Sequence, residues 1–71
     1  MTQKFQIGQK VNTPNGPGIF QHMMSSDGEH YPMVSYPPNT DIDTEKCKSY
    51  YHVPGGMWWL CGYEPAQVEA I

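Results

Sequence analysis

The stretch Ile19-Phe20-Gln21-His22-Met23-Met24-Ser25-Ser26-Asp27-Gly28 decides the fold, because it predicts a β-strand over 19–24 that runs into a tight hairpin turn. Asp-Gly is a typical tip for such a turn, since both residues tolerate the positive φ that it requires. The next strand covers His30 to Tyr36 and places Val34 and Tyr36 on one face and Tyr31, Met33 and Ser35 on the other. Pro32 indicates an edge position or a bulge near the start of this strand, because proline has no N–H for the ladder.

Another strand and turn precede this hairpin. Residues 5–13 predict the first strand, in which Phe5, Ile7 and Val11 share one face. The run Pro14-Asn15-Gly16-Pro17-Gly18 then predicts a tight reversal, because Asn-Gly favours positive φ and proline lacks a ladder N–H. The first strand is therefore expected to turn directly into the second.

Turn residues cut the second half of the chain into two further strands and a tail. Pro37-Pro38 ends the third strand, and residues 39–46 predict a polar, acidic loop. A fourth strand is predicted from about Lys48 to Val53 and a fifth from Met57 to Tyr63, with a turn at Pro54-Gly55-Gly56. The tail over 64–69 predicts one helical turn, because proline suits the first helical position. The prediction is a single all-β domain over 1–71, a small five-stranded, partly open barrel with a short C-terminal helical turn.

The charge balance argues against nucleic acid as a partner. Seven acidic residues stand against four lysines and no arginine, which gives a net charge of −3. Arginine is the residue best suited to phosphates and guanine edges, and few cations are available to neutralise a nucleic-acid backbone. The polar start of the chain predicts no signal peptide, and no run approaches the roughly 20 apolar residues of a membrane span. Two cysteines in such a chain predict reduced thiols, and therefore a cytoplasmic domain.

Residue types that bind metals are present, but they lack the spacing that metal sites need. Cys47, Cys61 and the three histidines include no close pair of the Cys-x2-Cys kind, so no zinc site is predicted. A reversible Cys47–Cys61 disulfide stays open, because spacing alone does not decide it. The acidic run 41–45 is followed by lysine and histidine where a calcium loop needs glycine and glutamate. We therefore expect no metal, no cofactor and no catalytic residue.

The aromatic residues carry the functional prediction. Met57-Trp58-Trp59-Leu60-Cys61 is apolar on both faces of a strand, so Trp58 and Trp59 point to opposite sides. A chain of this size has one small core to cover one side, and the other side favours a ligand or a second chain. The predicted ligand or interface residues are Trp59, Trp58, Tyr36, Tyr50, Tyr51 and Tyr63.

Alternation along the strands leaves two assignments of the faces. In the first, the core takes Val11, Val34, Trp58 and Leu60, while Met57, Trp59, Cys61 and Tyr63 face outward. In the second, Met57, Trp59 and Cys61 lie inside, and a one-residue bulge is enough to exchange the two. We predict the first assignment, in which Trp59 is the contact residue.

Two segments resemble parts of a known group of small barrels. Gly8-Gln9-Lys10-Val11-Asn12-Thr13-Pro14-Asn15-Gly16-Pro17-Gly18-Ile19 resembles the opening of SH3-like barrels, with Thr-Pro and a Gly-x-Gly turn after a strand valine. The closing residues 64–71 resemble the short helical turn that ends such barrels. SH3 domains also carry adjacent tryptophans, but here the pair falls in the last predicted strand. The chain further resembles, in style, short uncharacterised proteins of integron cassettes and other mobile elements.

One resemblance within this group implies a shared active site. Type II dihydrofolate reductases are similar in size and architecture, and they form an active pore from several chains. Their Val-Gln-Ile-Tyr signature has no match in this sequence, so no catalytic residue is assigned from them.

Together these patterns favour a non-enzymatic binding module that forms a homo-oligomer through its aromatic face. A peptide or a small aromatic ligand is another occupant of that face. The first alternative function is an oligomeric enzyme or small-molecule binder with a cleft between subunits. The second is a weak single-stranded nucleic-acid binder that uses stacked aromatics and whose affinity depends on salt.

Overall fold

The chain folds into a single antiparallel sheet. The computed structural model describes residues 5–37, 39–53 and 58–71, and of Val53 the backbone alone. The strands in these ranges are β1 Lys10–Thr13, β2 Gly16–Ser26, β3 Glu29–Tyr36, β4 Ser49–Val53, β5 Trp58–Gly62 and β6 Glu69–Ala70. They follow the order β4-β5-β3-β2-β1-β6 across the sheet. Two 3-10 helices, Thr44–Lys46 and Pro65–Gln67, are three residues long each. The predicted all-β class is confirmed.

Both predicted hairpins form where turn residues supply the backbone. β1 and β2 are joined at Pro14-Asn15, and Thr13 lies opposite Gly16, whose φ is 101°. β2 and β3 are joined at Asp27-Gly28, whose φ angles of 52° and 81° suit a two-residue turn. The reversal within 14–18 and the Asp-Gly turn are therefore confirmed, although β2 extends beyond both ends of the predicted 19–24.

Pro32 does not place β3 at an edge, because β3 lies between β2 and β5. The β5 ladder pairs with β3 from Met33 to Tyr36, so Pro32 lies just beyond it. The Pro32 carbonyl still accepts the Tyr63 N–H at 3.2 Å. The irregularity in pairing lies in β2, between Phe20 and His22, rather than near the start of β3. The inner strand β3 tolerates Pro32 because the ladder with β5 ends before the position where an N–H from residue 32 would be needed.

The two ends of the chain differ from the prediction. β1 begins at Lys10 rather than at residue 5, because residues 6–9 form a turn in which the Gln9 N–H donates to the Gln6 carbonyl at 2.9 Å. Ile7 is therefore 75% exposed, while Phe5 is buried. The predicted helical turn is present at Pro65–Gln67, but it leads into β6, a sixth strand that pairs with β1 and that the sequence did not predict.

One face of the sheet carries the core. The buried cluster consists of Phe5, Val11, Phe20, Val34, Tyr36, Cys61, Tyr63 and Val68. Trp59 packs against this cluster, whereas Trp58 and Leu60 alternate to the other face and are half-buried. The predicted core positions of Val11 and Val34 are therefore confirmed, and Met57 lies outside the described residues.

The remaining face assignments along β5 are wrong. Cys61 and Tyr63 face the core instead of solvent, and Trp58 and Leu60 leave it. The cause is the register between β5 and β3, in which Cys61 lies opposite the buried Val34. Residues paired across a ladder share a face, so this single pair fixes the direction of every side chain along β5.

Candidate functional site

β4 is one edge of the sheet and carries exposed aromatic side chains. Tyr50 and Tyr51 are 52% and 53% exposed. The ring centroids of Tyr50 and Trp59 lie 6.2 Å apart, and those of His52 and Trp59 lie 4.7 Å apart with an interplanar angle of 30°. Tyr50, His52 and Trp59 therefore form a ring cluster on one face, and Tyr51 alternates to the other. These four residues are termed the aromatic edge.

The opposite face of the sheet holds a groove of about 800 Å³ beside Trp58. Its apolar wall includes Ile19, Pro37 and Trp58, and Lys10 is the only charged side chain among the described residues of the lining. Within the groove, the Gln21 side-chain amide donates to the Ser35 hydroxyl at 2.8 Å. This surface, termed the outer groove, offers an aromatic plane and a few polar groups to a ligand.

The hydroxyl groups of Tyr36 and Tyr63 form part of an ordered hydrogen-bond chain in the core. Thr13 Oγ1 donates to the Gly16 carbonyl at 2.7 Å, so Thr13 accepts from the Tyr36 hydroxyl. The Tyr36 oxygen then accepts from the Tyr63 hydroxyl, at 2.6 Å. Asn15 Nδ2 donates to the Tyr63 oxygen at 2.9 Å and begins the chain. One proton for each hydroxyl fixes the direction of the whole series.

The same burial changes the ionisation of these phenols. Loss of water around the ring raises the pKa of Tyr36 and of Tyr63, since the charged form is disfavoured without solvation. The bond to Tyr36 raises the pKa of Tyr63 further, whereas the bonds that Tyr36 makes to Thr13 and Tyr63 oppose its own shift. Both phenols are therefore protonated hydrogen-bonding groups of the fold, not acids at neutral pH.

Asn15 is the connecting residue that sequence reasoning missed. Its Oδ1 accepts the Asp43 N–H at 2.9 Å, and its Nδ2 also donates to the Asp43 carbonyl at 3.2 Å. The same Nδ2 lies 3.5 Å from Cys47 Sγ. Asn15 thus ties the β1–β2 turn to the acidic loop and to the core. The sequence indicates only a turn residue here, because its partners lie 28 to 48 residues away.

The two cysteines are free thiols in different surroundings. Cys61 is buried, and desolvation, together with the neighbouring Cys47, raises the pKa of its thiol to about 12. Cys47 is half-buried beside the core, and its thiol donates to the Asp43 carbonyl at 3.7 Å. Among the described residues, no group of three or more His, Cys, Asp or Glu side chains is placed to hold a metal ion.

The structure divides the six predicted site residues among three places. Tyr50, Tyr51 and Trp59 lie at the aromatic edge, and Trp58 lies in the outer groove. Tyr63 is fully buried, and Tyr36, one of the residues that line the outer groove, is 2% exposed and belongs to the core cluster. The predicted site residues therefore lie in the core and on both faces of the sheet, with Tyr51 of the aromatic edge on the same face as Trp58. Trp58, not Trp59, is the indole directed away from the core.

Comparison with known proteins places this chain in no family. No protein-family model, no curated protein and no solved structure matches it. The class that the structure defines is therefore a small all-β protein built on one six-stranded antiparallel sheet. Over the described residues, neither helix has the length or apolar character that crossing a membrane requires.

Proposed function

We propose that this chain is a non-enzymatic binding module that self-associates through its aromatic edge. The observation that supports it is the pair of half-exposed tyrosines, Tyr50 and Tyr51, on a strand that has a neighbour on one side only among the strands that the structure describes. Tyrosine and tryptophan are the residues that most often anchor protein interfaces, because they bury large areas at low entropic cost.

We also propose that the sheet belongs to the SH3-like barrel class. The segment that resembles the opening of such barrels forms β1, a two-residue turn and the start of β2. The segment that resembles their ending forms a 3-10 turn that returns the chain to β1 through β6. Four strands and the tail contribute to one buried cluster, which supports a strongly bent sheet rather than a flat one.

Light scattering over a range of protein concentrations tests self-association. We expect the apparent mass to rise above that of the 8.1 kDa monomer as concentration increases. The variant Y50S/Y51S should remain monomeric, because it removes both exposed rings from the edge. The matched control is Ile7→Ser, which removes a side chain that is 75% exposed but lies far along the chain from β4. A parent protein that stays monomeric throughout would overturn the proposal.

The outer groove supports a second candidate function, the binding of a planar small molecule or a short peptide. Its support is the half-buried Trp58 beside about 800 Å³ of mainly apolar space. A ligand screen by thermal shift tests this function, since a ligand that binds the folded state raises Tm in proportion to the logarithm of its concentration. Loss of the shift in Trp58→Ala, but not in Y50S/Y51S, would assign the ligand to the groove. A screen without any such ligand argues against this candidate.

A further inference from the structure

We infer that two copies of this chain pair edge to edge through β4, antiparallel to each other about a two-fold axis at Tyr51. This inference rests on the proposed self-association and specifies its geometry. The pair joins two six-stranded sheets into one continuous sheet, with backbone hydrogen bonds between the two β4 strands. A two-fold arrangement uses the same surface of both copies and therefore closes at a dimer.

The two edges of the sheet differ in how they are protected. β6 is two residues long and carries the exposed Glu69, and short charged edges of this kind resist pairing. β4 is five residues long, Ser49-Tyr50-Tyr51-His52-Val53, with neither proline nor a lysine, arginine or acidic side chain. An uncharged edge with exposed aromatic residues is a template for a further strand.

The sequence of β4 is complementary to itself in this register. With Tyr51 opposite the partner's Tyr51, each Tyr50 lies opposite the partner's His52. Tyr50 and His52 share the face on which both contact Trp59. The two ring clusters of the dimer therefore become adjacent and form one continuous aromatic layer. Cross-strand aromatic pairs of this kind add to the stability of a sheet.

The charge close to β4 is small, although the whole chain carries a net charge of −3. Lys48, which precedes β4, is paired with Glu29 at 3.2 Å and with Glu64 at 3.1 Å. These partners belong to the same chain, so the group of one lysine and two glutamates beside the edge carries a net charge of −1, while β4 itself carries no acidic, lysine or arginine side chain.

The area available indicates a weak dimer. Half of a tyrosine side chain amounts to roughly 100 Å², so the four exposed tyrosines of a pair cover about 400 Å² before the backbone is counted. Interfaces well below about 1,200 Å² are transient. We therefore expect dimerisation at concentrations between roughly 10 µM and 1 mM, rather than an obligate assembly.

Cysteine cross-linking tests the register directly. In a Cys47→Ser background, Tyr51→Cys places the two new cysteines opposite each other at the two-fold axis. Their Cα atoms are then about 4.5–5.5 Å apart, which is within the reach of a disulfide. The matched control Tyr50→Cys places the thiols on the diagonal, about 7–8 Å apart, beyond that reach. With oxidised glutathione as oxidant, we expect covalent dimer from Tyr51→Cys and at least tenfold less from Tyr50→Cys. A mixture of Tyr50→Cys with His52→Cys should restore the cross-link.

A second variant covers the case in which a cysteine disturbs folding. Tyr51→Lys places like charges opposite each other at the axis, and we expect the dimer dissociation constant to rise by roughly tenfold or more with an unchanged circular dichroism spectrum. Cross-linking by Tyr50→Cys alone, or equal cross-linking of both variants, would overturn this register. Dimers that persist in Tyr51→Lys would overturn edge pairing while leaving self-association intact. Dimerisation is expected at concentrations up to about 1 mM, so a parent chain that is still monomeric there would overturn both the edge pairing and the self-association.

Discussion

Replacing Tyr63 by phenylalanine removes a hydroxyl from the middle of the buried hydrogen-bond chain. That hydroxyl accepts from Asn15 Nδ2 at 2.9 Å and is bonded to the Tyr36 hydroxyl at 2.6 Å. Asn15 keeps the Asp43 carbonyl at 3.2 Å as a partner, and Tyr36 keeps Thr13. The change therefore removes two hydrogen bonds and leaves no buried group without a partner. We expect the free energy of unfolding to fall by about 2 kcal/mol, at about 1 kcal/mol for each bond.

Tyr36→Phe supplies the matched comparison. It removes the bond to Thr13 and the same bond between the two tyrosines, and it leaves the buried Tyr63 O–H without its acceptor, so it should cost at least about 2 kcal/mol. Because the two variants share one bond, Y36F/Y63F should cost about 3 kcal/mol, which is less than the sum of the two single costs by at least about 1 kcal/mol of coupling energy.

Equilibrium unfolding in urea, followed by tryptophan fluorescence in dilute solution, measures all three values. Each kcal/mol should appear as about 4–8 °C in Tm for a domain of this size. Two single costs that simply add in the double variant would refute the shared bond. A Tyr63→Phe variant as stable as the parent chain would refute the ordered chain of hydroxyls as a whole.

Close packing around Gly18 predicts that Gly18→Ala lowers the free energy of unfolding by about 1–3 kcal/mol. The added Cβ would lie 2.5 Å from a methyl group of Val34 and 2.8 Å from the carbonyl oxygen of Ser35. Thermal unfolding measures this loss, and an unchanged Tm would contradict it. Cys47 should react with iodoacetamide in the folded protein, whereas Cys61 should react only on unfolding, because burial raises its pKa to about 12; equal labelling of the two peptides in mass spectrometry argues against this. The raised pKa values of Tyr36 and Tyr63 mean that the folded state holds these protons more tightly than the unfolded chain does. The stability that they contribute is fully present below about pH 10 and is lost as the pH rises further, because the unfolded phenols then ionise. Urea unfolding at increasing pH should show this decline, a shallower decline is expected in Y36F/Y63F, and identical slopes would exclude the two phenols as its source.

Features that depend on local backbone chemistry could be predicted from the sequence. Asp27-Gly28 adopts the positive φ angles that its residue types favour, and the turn between β1 and β2 lies where proline, asparagine and glycine are concentrated. Pro65 likewise begins the 3-10 turn in the tail. Each of these features is decided within about four residues, so that no distant contact is needed to recognise it.

Features that depend on distant partners could not be predicted in the same way. The direction of the β5 side chains follows from the pairing of Cys61 with Val34, and β6 forms only because β1 offers it an edge. The role of Asn15 depends on Asp43 and Tyr63, which the sequence does not place beside it. Alternation alone therefore separated Trp58 from Trp59 correctly but assigned them to the wrong sides.

The position of β4 in the sheet links assembly to local stability. Within the described ranges β4 pairs with β5 alone, and none of its described side chains belongs to the buried core cluster. The core cluster and the hydroxyl chain instead hold β1, β2, β3 and β5 together. Local opening costs least where buried contacts are few, so β4 should be the least protected of the long strands in the monomer.

Pairing of β4 with a second copy would then protect this strand in particular. Hydrogen exchange of the Tyr50, Tyr51 and His52 amides should slow as protein concentration passes through the dimer dissociation constant, because only the paired state holds both edges of β4 closed. Amides in the centre of β2 and β3 should exchange at the same rate throughout and serve as the internal control. If β4 exchanges at a constant rate while light scattering shows dimers forming, the contact between the two copies lies elsewhere on the molecule, and the face beside Trp58 becomes the surface that joins them.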